Sequence, residues 1–373
     1  MTFAAHHADL AALESRGRLR RLVPRRGRDF ASNDYLALAD ARPVRDAVAR
    51  ALAAGVGIGS GGSRLLRGNA PEHEALEAAG AATFGVEATL FFGSGYAANV
   101  AMLSALPQRG DLIVHDALVH ASAHDGMRLG RAEAVAAAHN DADAFADAIA
   151  GWRTRGGTGT PWIVVESLYS MDGDCAPLAA LAAIADRHDA VLIVDEAHAT
   201  GVWGTGGRGL AAELDGRGNV ITLKTFGKAL GCEGALVCGP RIVRDFLVTR
   251  GRGFIFSTAP SPLMAVAAQE SLRLLDAEPE RRARLHALIA AAGRRLGPLG
   301  ASIEGTQIVP LILGNDGEAM RVAGALQARG FDVRGIRPPT VPSGTARLRI
   351  SLTLHATEDD LAALASAIAE ARA

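Results

Sequence analysis

The segment VITLKTFGKALG, residues 220–231, contains both lysines of the chain, Lys224 and Lys228. Lys and Arg together number 39, so every other member of that count is arginine. Arginine stays charged and is a poor nucleophile, whereas a desolvated lysine can lose its proton and attack a carbonyl group. Lys224 falls inside an apolar run and Lys228 just beyond it, after Gly227. The position therefore predicts that Lys228 is the reactive amine.

The apolar run around Lys224 is one of several that alternate with alanine-rich helical stretches. The runs are ATLFF (88–92), DLIVH (111–115), PWIVVES (161–167), AVLIVDE (190–196), VITLKTF (220–226) and GALVC (234–238). Continuous apolar strands separated by helices are typical of a mostly parallel sheet covered on both faces, so the predicted fold class is α/β.

The pattern changes after about residue 275. A helix at 280–296 precedes a predicted strand at 308–313, a helix near 317–329, a strand at 346–352 and a final helix. We predict a large domain at 40–275 and a smaller α+β domain at 276–373, which the N-terminal segment 1–39 joins. Residues 4–21 are expected to be helical. Seven arginines then occur between Arg16 and Arg28.

Composition excludes several classes of protein. The net charge is −1, which gives no general attraction for nucleic acid. The three cysteines form no CxxC pair, so neither a disulfide framework nor a zinc site is expected, and no metal is predicted. Charged residues interrupt the N-terminus where a signal peptide needs an apolar stretch, so a cytoplasmic protein without a membrane segment is expected.

Polar residues follow several strands, and ligands of open α/β sheets bind beyond the carboxyl ends of strands. The run VLIVDEAH, residues 191–198, also occurs as the Walker B segment of DEAH-type helicases. That interpretation requires a phosphate-binding loop of the form GxxxxGK[ST]. Neither lysine fits such a loop, so the nucleotide-motor hypothesis fails. Pyridoxal phosphate fits better, because Asp195 and Lys228 stand 33 residues apart at two strand ends.

A series of motifs in order resembles the α-oxoamine synthases, which are fold-type-I enzymes that use pyridoxal 5′-phosphate. The motifs are GSGGSRLLRGN (59–69), GSGYAAN (93–99), YSMDGDCAPL (169–178), VDEAHATGVWGTGGRG (194–209), TFGKALGCEGA (225–235), FIFSTAPSP (254–262) and IRPPTVPSGTARLRISLT (336–353). Two positions depart from the family pattern: Glu196 stands where a second aspartate is common, and Ala199 where glycine is common.

The resemblance implies roles for individual residues. Lys228 would form the Schiff base with the cofactor, Asp195 would pair with the pyridine nitrogen, and His120 would stack on the ring. Further implied cofactor contacts are Gly95, Tyr96, Ser170, His198 and Thr225, and implied substrate contacts are Arg20, Asn33, Thr340 and Arg349. Alternatives stay open: His115 or His124 for His120, Arg347 for Arg349, and Arg18 or Arg21 for Arg20.

Within the family, three stretches are most similar to members that condense L-alanine with a pimeloyl thioester and release CO2. The carrier of the acyl group would be coenzyme A or acyl carrier protein. The family also implies a homodimer. Two other hypotheses remain. The chain could use glycine instead of alanine, or it could be a catalytically silent partner subunit, although the latter should have lost Lys228 or Asp195.

Overall fold

The structure is a computed structural model and describes residues 2–372. Its strands are β1 Arg28–Asp29, β2 Ala88–Phe92, β3 Leu112–Asp116, β4 Glu133–Ala137, β5 Pro161–Glu166, β6 Val191–Asp195, β7 Val220–Thr225, β8 Ala235–Gly239, β9 Ile308–Gly314, β10 Phe331–Asp332, β11 Arg334–Ile336 and β12 Ala346–Ser351. Its α-helices are α1 Ala4–Ser15, α2 Arg42–Ala53, α3 Pro71–Phe84, α4 Gly95–Ala105, α5 Ala121–Leu129, α6 Ala142–Thr154, α7 Leu178–Arg187, α8 Arg241–Arg250, α9 Arg252–Ile255, α10 Pro262–Ala277, α11 Pro279–Leu296, α12 Asp316–Ala328 and α13 Glu358–Arg372.

The main sheet has seven strands in the order β2-β8-β7-β6-β5-β3-β4. Strands β4, β3, β5, β6 and β7 pair in parallel, and only β8 runs against its neighbours β7 and β2. Both faces are covered. One layer of buried side chains includes Met102 of α4 and Met127 of α5, and the other includes Phe145 of α6 and Leu181 of α7. The predicted α/β fold with a mostly parallel sheet is confirmed.

Successive residues along a strand alternate between these two layers. Ile113, Ile193 and Ile221 lie in the first, whereas Leu112 and Leu192 lie in the second. Because both faces of the inner strands are buried, most of their residues are apolar, which is why these strands could be recognised from sequence. Four strands end on a polar residue: Asp116, Glu166, Asp195 and Thr225 are the last residues of β3, β5, β6 and β7.

The chain divides into two compact units. The larger comprises Asn33–Ser170 and Asp174–Leu285, and it contains the main sheet. The other comprises the residues up to Ser32, Met171–Gly173 and those from His286 onward. This second unit contains a three-stranded antiparallel sheet in the order β11-β12-β9 and a parallel pair of β1 with β10. The sequence placed its domain boundaries at residues 39 and 275, and it did not indicate the short excursion Met171–Gly173.

The N-terminal helix is shorter than the predicted helix at 4–21. Helix α1 ends at Ser15, and Gly17 adopts a φ of 65°, which only glycine adopts without strain. The N–H of Arg18 donates to the carbonyl of Leu13, and that of Gly17 to Glu14. These two bonds form a Schellman motif that closes the helix. The arginines from Arg18 onward therefore lie beyond the end of α1.

Strand β4 was missed because its sequence, EAVAA, resembles the alanine-rich helices around it. It lies at the edge of the main sheet beside β3. None of the helices within residues 2–372 is long and apolar enough to cross a bilayer.

Candidate active site

A cavity of about 460 Å³ lies in the larger unit, at the carboxyl ends of the parallel strands. Its size is within the usual range for small-molecule sites. Eight of the residues singled out from sequence line it: Asn33, Gly95, Tyr96, His120, Asp195, His198, Thr225 and Lys228. The cavity is also lined by Ser94, Asn99, Ser122 and Glu166. These side chains come from strand ends and helix starts far apart in sequence.

The two lysines have different surroundings. Lys228 follows β7 and lines the cavity. Lys224 lies within β7 with its side chain buried, and its Nζ donates to Glu196 Oε2 at 2.9 Å, Asp215 Oδ2 at 2.9 Å and the Arg208 carbonyl at 2.8 Å. An ammonium group has three N–H donors, so all of them are in use. Burial opposes the charge, but Glu196 and Asp215 outweigh it and raise the pKa of Lys224. Lys224 is a structural cation.

Replacing Lys224 with methionine is expected to lower the free energy of unfolding by about 3–5 kcal/mol, because Glu196 and Asp215 would remain buried without their cation. Below the denaturation midpoint, the variant should still bind cofactor through Lys228. Urea denaturation measures the first effect and the visible spectrum of the holoenzyme the second. A loss below 1 kcal/mol, roughly the value of an exposed ion pair, would contradict this role.

The side chain of Asp195 accepts hydrogen bonds from two N–H donors. The side chain of Asn99 donates to its Oδ2 at 2.8 Å, and the backbone N–H of Ala197 donates to its Oδ1 at 2.9 Å. Asn99 also donates to Ser122 Oγ at 3.0 Å, and that hydroxyl lies 2.7 Å from His120 Nδ1. One line of hydrogen bonds thus connects Asp195 with His120. Burial lowers the pKa of His120 and outweighs the charge of Asp195, which acts in the opposite sense, while the charge of Lys228 adds to the lowering, so the neutral ring is favoured.

The imidazole ring of His198 is held by a hydrogen bond to Tyr35. Its Nδ1 lies 2.7 Å from the hydroxyl of Tyr35, which lies 3.1 Å from Asn33 Oδ1. Both Tyr35 and His198 are buried. Such support restricts the orientation of the imidazole ring, so its remaining nitrogen has a defined position in the cavity wall.

The first turn of α4 offers an anion site. Ser94 caps the helix by accepting from the N–H of Ala97 at 3.1 Å, and a Cβ at Gly95 would lie 2.9 Å from Thr225 Cγ2. Only glycine therefore fits against Thr225. Helix N-termini attract phosphate groups, and a hydroxyl and a lysine amine stand beside this one. The Tyr96 hydroxyl donates to the Asp125 carboxylate, which raises the pKa of Tyr96.

These groups fit pyridoxal phosphate. The helix start suits its phosphate, the Asp195 carboxylate suits a protonated pyridine nitrogen, and the Lys228 amine suits its aldehyde.

The remaining candidates lie outside the cavity lining. Ser170 belongs to the larger unit, whereas Arg20, Thr340 and Arg349 belong to the second. There, the guanidinium of Arg20 donates to Thr340 Oγ1 at 3.4 Å. The roles of all four stay predictions.

The choice between Arg347 and Arg349 can be examined within the second unit. Both lie on β12 and are buried. Arg347 forms an ion pair with Asp172 and donates to the Met171 carbonyl at 3.2 Å. Arg349 donates to Ser351 Oγ at 2.7 Å. Both arginines therefore have partners within this unit, and the choice of Arg349 as the residue that binds a substrate carboxylate stays a prediction.

Comparisons with known proteins show the family of this chain. The family profile "Aminotransferase class I and II" matches residues 27–368. The chain is 44% identical over 362 residues to 8-amino-7-oxononanoate synthase of Anaeromyxobacter dehalogenans, covering 93% of this chain and 90% of that protein. The chain belongs to the α-oxoamine synthases of aminotransferase class I and II. The predicted resemblance is thereby confirmed.

Two further similarities have comparable extent. The 8-amino-7-oxononanoate synthase of Chromobacterium violaceum is 46% identical over 341 residues, covering 90% of this chain and 86% of that protein. A solved structure of serine palmitoyltransferase with PLP superposes with a TM-score of 0.89 at 27% identity, covering 99% of this chain and 97% of that one. The α-oxoamine synthase fold therefore extends over almost the entire chain.

Sequence reasoning missed four residues that shape the cavity: Tyr35, Asn99, Ser122 and Glu166. Tyr35 stands in the segment FASNDYLAL, residues 30–38, and Asn99 stands in the motif GSGYAAN, so both stretches contained a signal. Ser122 follows His120 by two residues and has no pattern of its own. Glu166 lies at the end of a predicted strand, where a charged residue is more often exposed to solvent.

Proposed function

We propose that this chain condenses L-alanine with a pimeloyl thioester and releases CO2, which is the reaction expected of an 8-amino-7-oxononanoate synthase in biotin synthesis. The observation that carries the proposal is the cavity in which Lys228 and Asp195 meet, in a chain 41–46% identical to proteins of that name. The enzyme is a transferase that uses pyridoxal 5′-phosphate.

When bound, the cofactor accepts electron density from the bonds at the α-carbon of an amino acid. Residues of the chain would bind and orient the reactants and transfer the proton. Lys228 would hold the cofactor aldehyde and then move the α-proton. Asp195 would keep the pyridine nitrogen protonated, and the neutral ring of His120 would cover the cofactor. Arg349 would hold the alanine carboxylate until it leaves, which aligns the reacting bonds.

The amino acid preference tests this proposal against the glycine-using alternative. With pimeloyl-CoA, kcat/KM for L-alanine should exceed that for glycine by at least about tenfold, the value of one methyl group in a fitted pocket. Mass spectrometry should identify the nine-carbon amino ketone acid as the product. Equal or better use of glycine, or no turnover with either, would overturn the assignment.

We also propose a homodimer. The segments 56–69 and 252–261 of the larger unit are bonded together, since Ser60 Oγ donates to the Ala259 carbonyl at 2.7 Å. They nevertheless expose Ile58, Leu66 and Phe256, each at least 72% accessible. Large apolar side chains exposed on neighbouring surface segments are typical of an interface. Sedimentation should give twice the chain mass, and a double variant with Leu66→Glu and Phe256→Glu should give monomers. A wild-type monomer would contradict the proposal.

The arginine run is proposed to attract the acyl donor, either the phosphates of coenzyme A or an acidic carrier protein. Arg18 pairs with Asp316, and Arg28 pairs with Asp360 at 3.2 Å, so these two have structural partners. Arg25 and Arg26 are exposed. Forked guanidinium donors suit phosphate and carboxylate groups.

Replacing Arg25 and Arg26 with glutamine should raise KM for the thioester about threefold or more at low salt and flatten its salt dependence, with little change for alanine. The matched control replaces Arg45 and Arg50, which are exposed on α2, and should leave both unchanged. Steady-state kinetics at two ionic strengths measures the effect. An unchanged salt response would identify the run as an ordinary solvated surface.

A further inference from the structure

Glu166 is a buried carboxyl group beside the cofactor-pairing aspartate. It ends β5 as Asp195 ends β6, and the two residues are paired in register. Adjacent strands lie about 4.8 Å apart, and paired residues of neighbouring strands point to the same face. Glu166 is 3% exposed and lines the cavity, yet no donor among the described residues reaches its Oε1. An ionised carboxylate in that position would be costly.

The carboxyl groups of Asp195 and Glu166 have different surroundings. Asp195 receives an N–H donor on each oxygen, from Asn99 and Ala197. Burial, then the charge of Asp195 and to a smaller extent that of Asp116, raise the pKa of Glu166 well above its usual range. The ammonium of Lys228 and the backbone N–H of His120 act in the opposite sense but do not outweigh them. Environments that separate two neighbouring carboxyl groups in this way assign them different roles.

We propose that Glu166 is a positioning residue that stays an un-ionised acid in the working enzyme, so that Asp195 is the single anion facing the pyridine nitrogen. If Glu166 also lost its proton, two like charges would lie on adjacent strand ends. The two carboxylates would then compete for the next proton that binds. Asp195 would then spend part of its time protonated, and its hold on the cofactor would weaken. This inference rests on the proposed function, because it supposes that Asp195 pairs with the cofactor.

Infrared spectroscopy of the holoenzyme at neutral pH tests the ionisation state directly. The spectrum should contain the carbonyl band of a buried carboxylic acid, and this band should shift when the protein is labelled with ¹³C-glutamate. The label distinguishes a glutamic acid from an aspartic acid in the wild-type protein. This assignment therefore holds even if a variant does not fold. Glu166→Gln should remove the band. Glu77→Gln is the matched control, because Glu77 is also buried but pairs with Arg64 at 2.9 Å, and it should leave the band.

Stability supplies a second readout. A group whose pKa is raised by folding stabilises the protein fully below its unfolded pKa, and this contribution is lost as the pH rises toward the folded value. Wild type should therefore lose Tm relative to Glu166→Gln as the pH rises above the unfolded pKa of glutamate. At neutral pH, Glu166→Gln should lose much less kcat/KM than Asp195→Asn, because a neutral side chain of equal shape replaces a neutral acid.

Three results would overturn the inference: absence of a glutamic acid band in wild type, a Tm difference that does not change with pH, or a loss in Glu166→Gln as large as that in Asp195→Asn. The last result would mean that Glu166 works as an anion. Failure of the proposed function looks different. In that case the band and the Tm trend persist, while no amino ketone forms from alanine and pimeloyl-CoA.

Discussion

Replacing Lys228 with alanine is expected to reduce kcat by about four orders of magnitude or more, which corresponds to roughly 5.5 kcal/mol of transition-state stabilisation. The variant loses the amine that would hold the cofactor aldehyde, and it also loses the group that would move the α-proton. Both losses come from one side chain, and among residues 2–372 no other lysine lines the cavity. Steady-state kinetics measures the rate, and the visible spectrum of the purified protein reports the attached cofactor.

Lys224→Met is the control for this experiment. Lys224 is the other lysine of the chain, four residues away, and its three donors are all bound to Glu196, Asp215 and the Arg208 carbonyl. At a temperature where it stays folded, this variant should keep the visible spectrum of wild type. Turnover by Lys228→Ala within tenfold of wild type would contradict the role assigned to Lys228.

The second large effect is expected at Asp195. Asp195→Asn should still bind the cofactor, but turnover should fall by roughly two to four orders of magnitude, since each factor of ten is ~1.4 kcal/mol of transition-state stabilisation. An amide cannot stabilise a protonated pyridine as a carboxylate can. It would also place its NH2 group against the N–H donors of Asn99 or Ala197, which now bond the two carboxylate oxygens.

Exchange of the α-proton of L-alanine in D2O, followed by NMR, isolates the step in which Asp195 acts. Exchange should be slowed as strongly as turnover. Asp186→Asn is a suitable control, because Asp186 is exposed on α7 and pairs with Arg217 outside the cavity. Near wild-type exchange in Asp195→Asn would show that the carboxylate is dispensable.

The sequence predicted the main sheet because its strands are buried on both faces and therefore read as continuous apolar runs. It also distinguished Lys228 from Lys224 by position, since a residue just beyond a strand end faces a ligand and a residue within the strand faces the core. The buried triad around Lys224 agrees with that reasoning. Glu196, noted as a departure from the family pattern, is one of its members.

Other features could not be predicted from local patterns. The line from Asp195 through Asn99 and Ser122 to His120 joins a strand end with two helices, so only the tertiary arrangement reveals it. The early end of α1 depends on a left-handed Gly17 that the arginine-rich pattern concealed. The raised pKa of Glu166 depends on burial, which a single charged letter at the end of a strand does not indicate.

The central claim is that Lys228 alone carries the cofactor. Borohydride reduction of wild-type holoenzyme, followed by cleavage after arginine, should release the peptide spanning residues 218–241, which contains both lysines. Fragment ions between residues 224 and 228 locate any added mass. The account predicts one cofactor adduct, on Lys228. An adduct on Lys224, or none on either lysine, would contradict it.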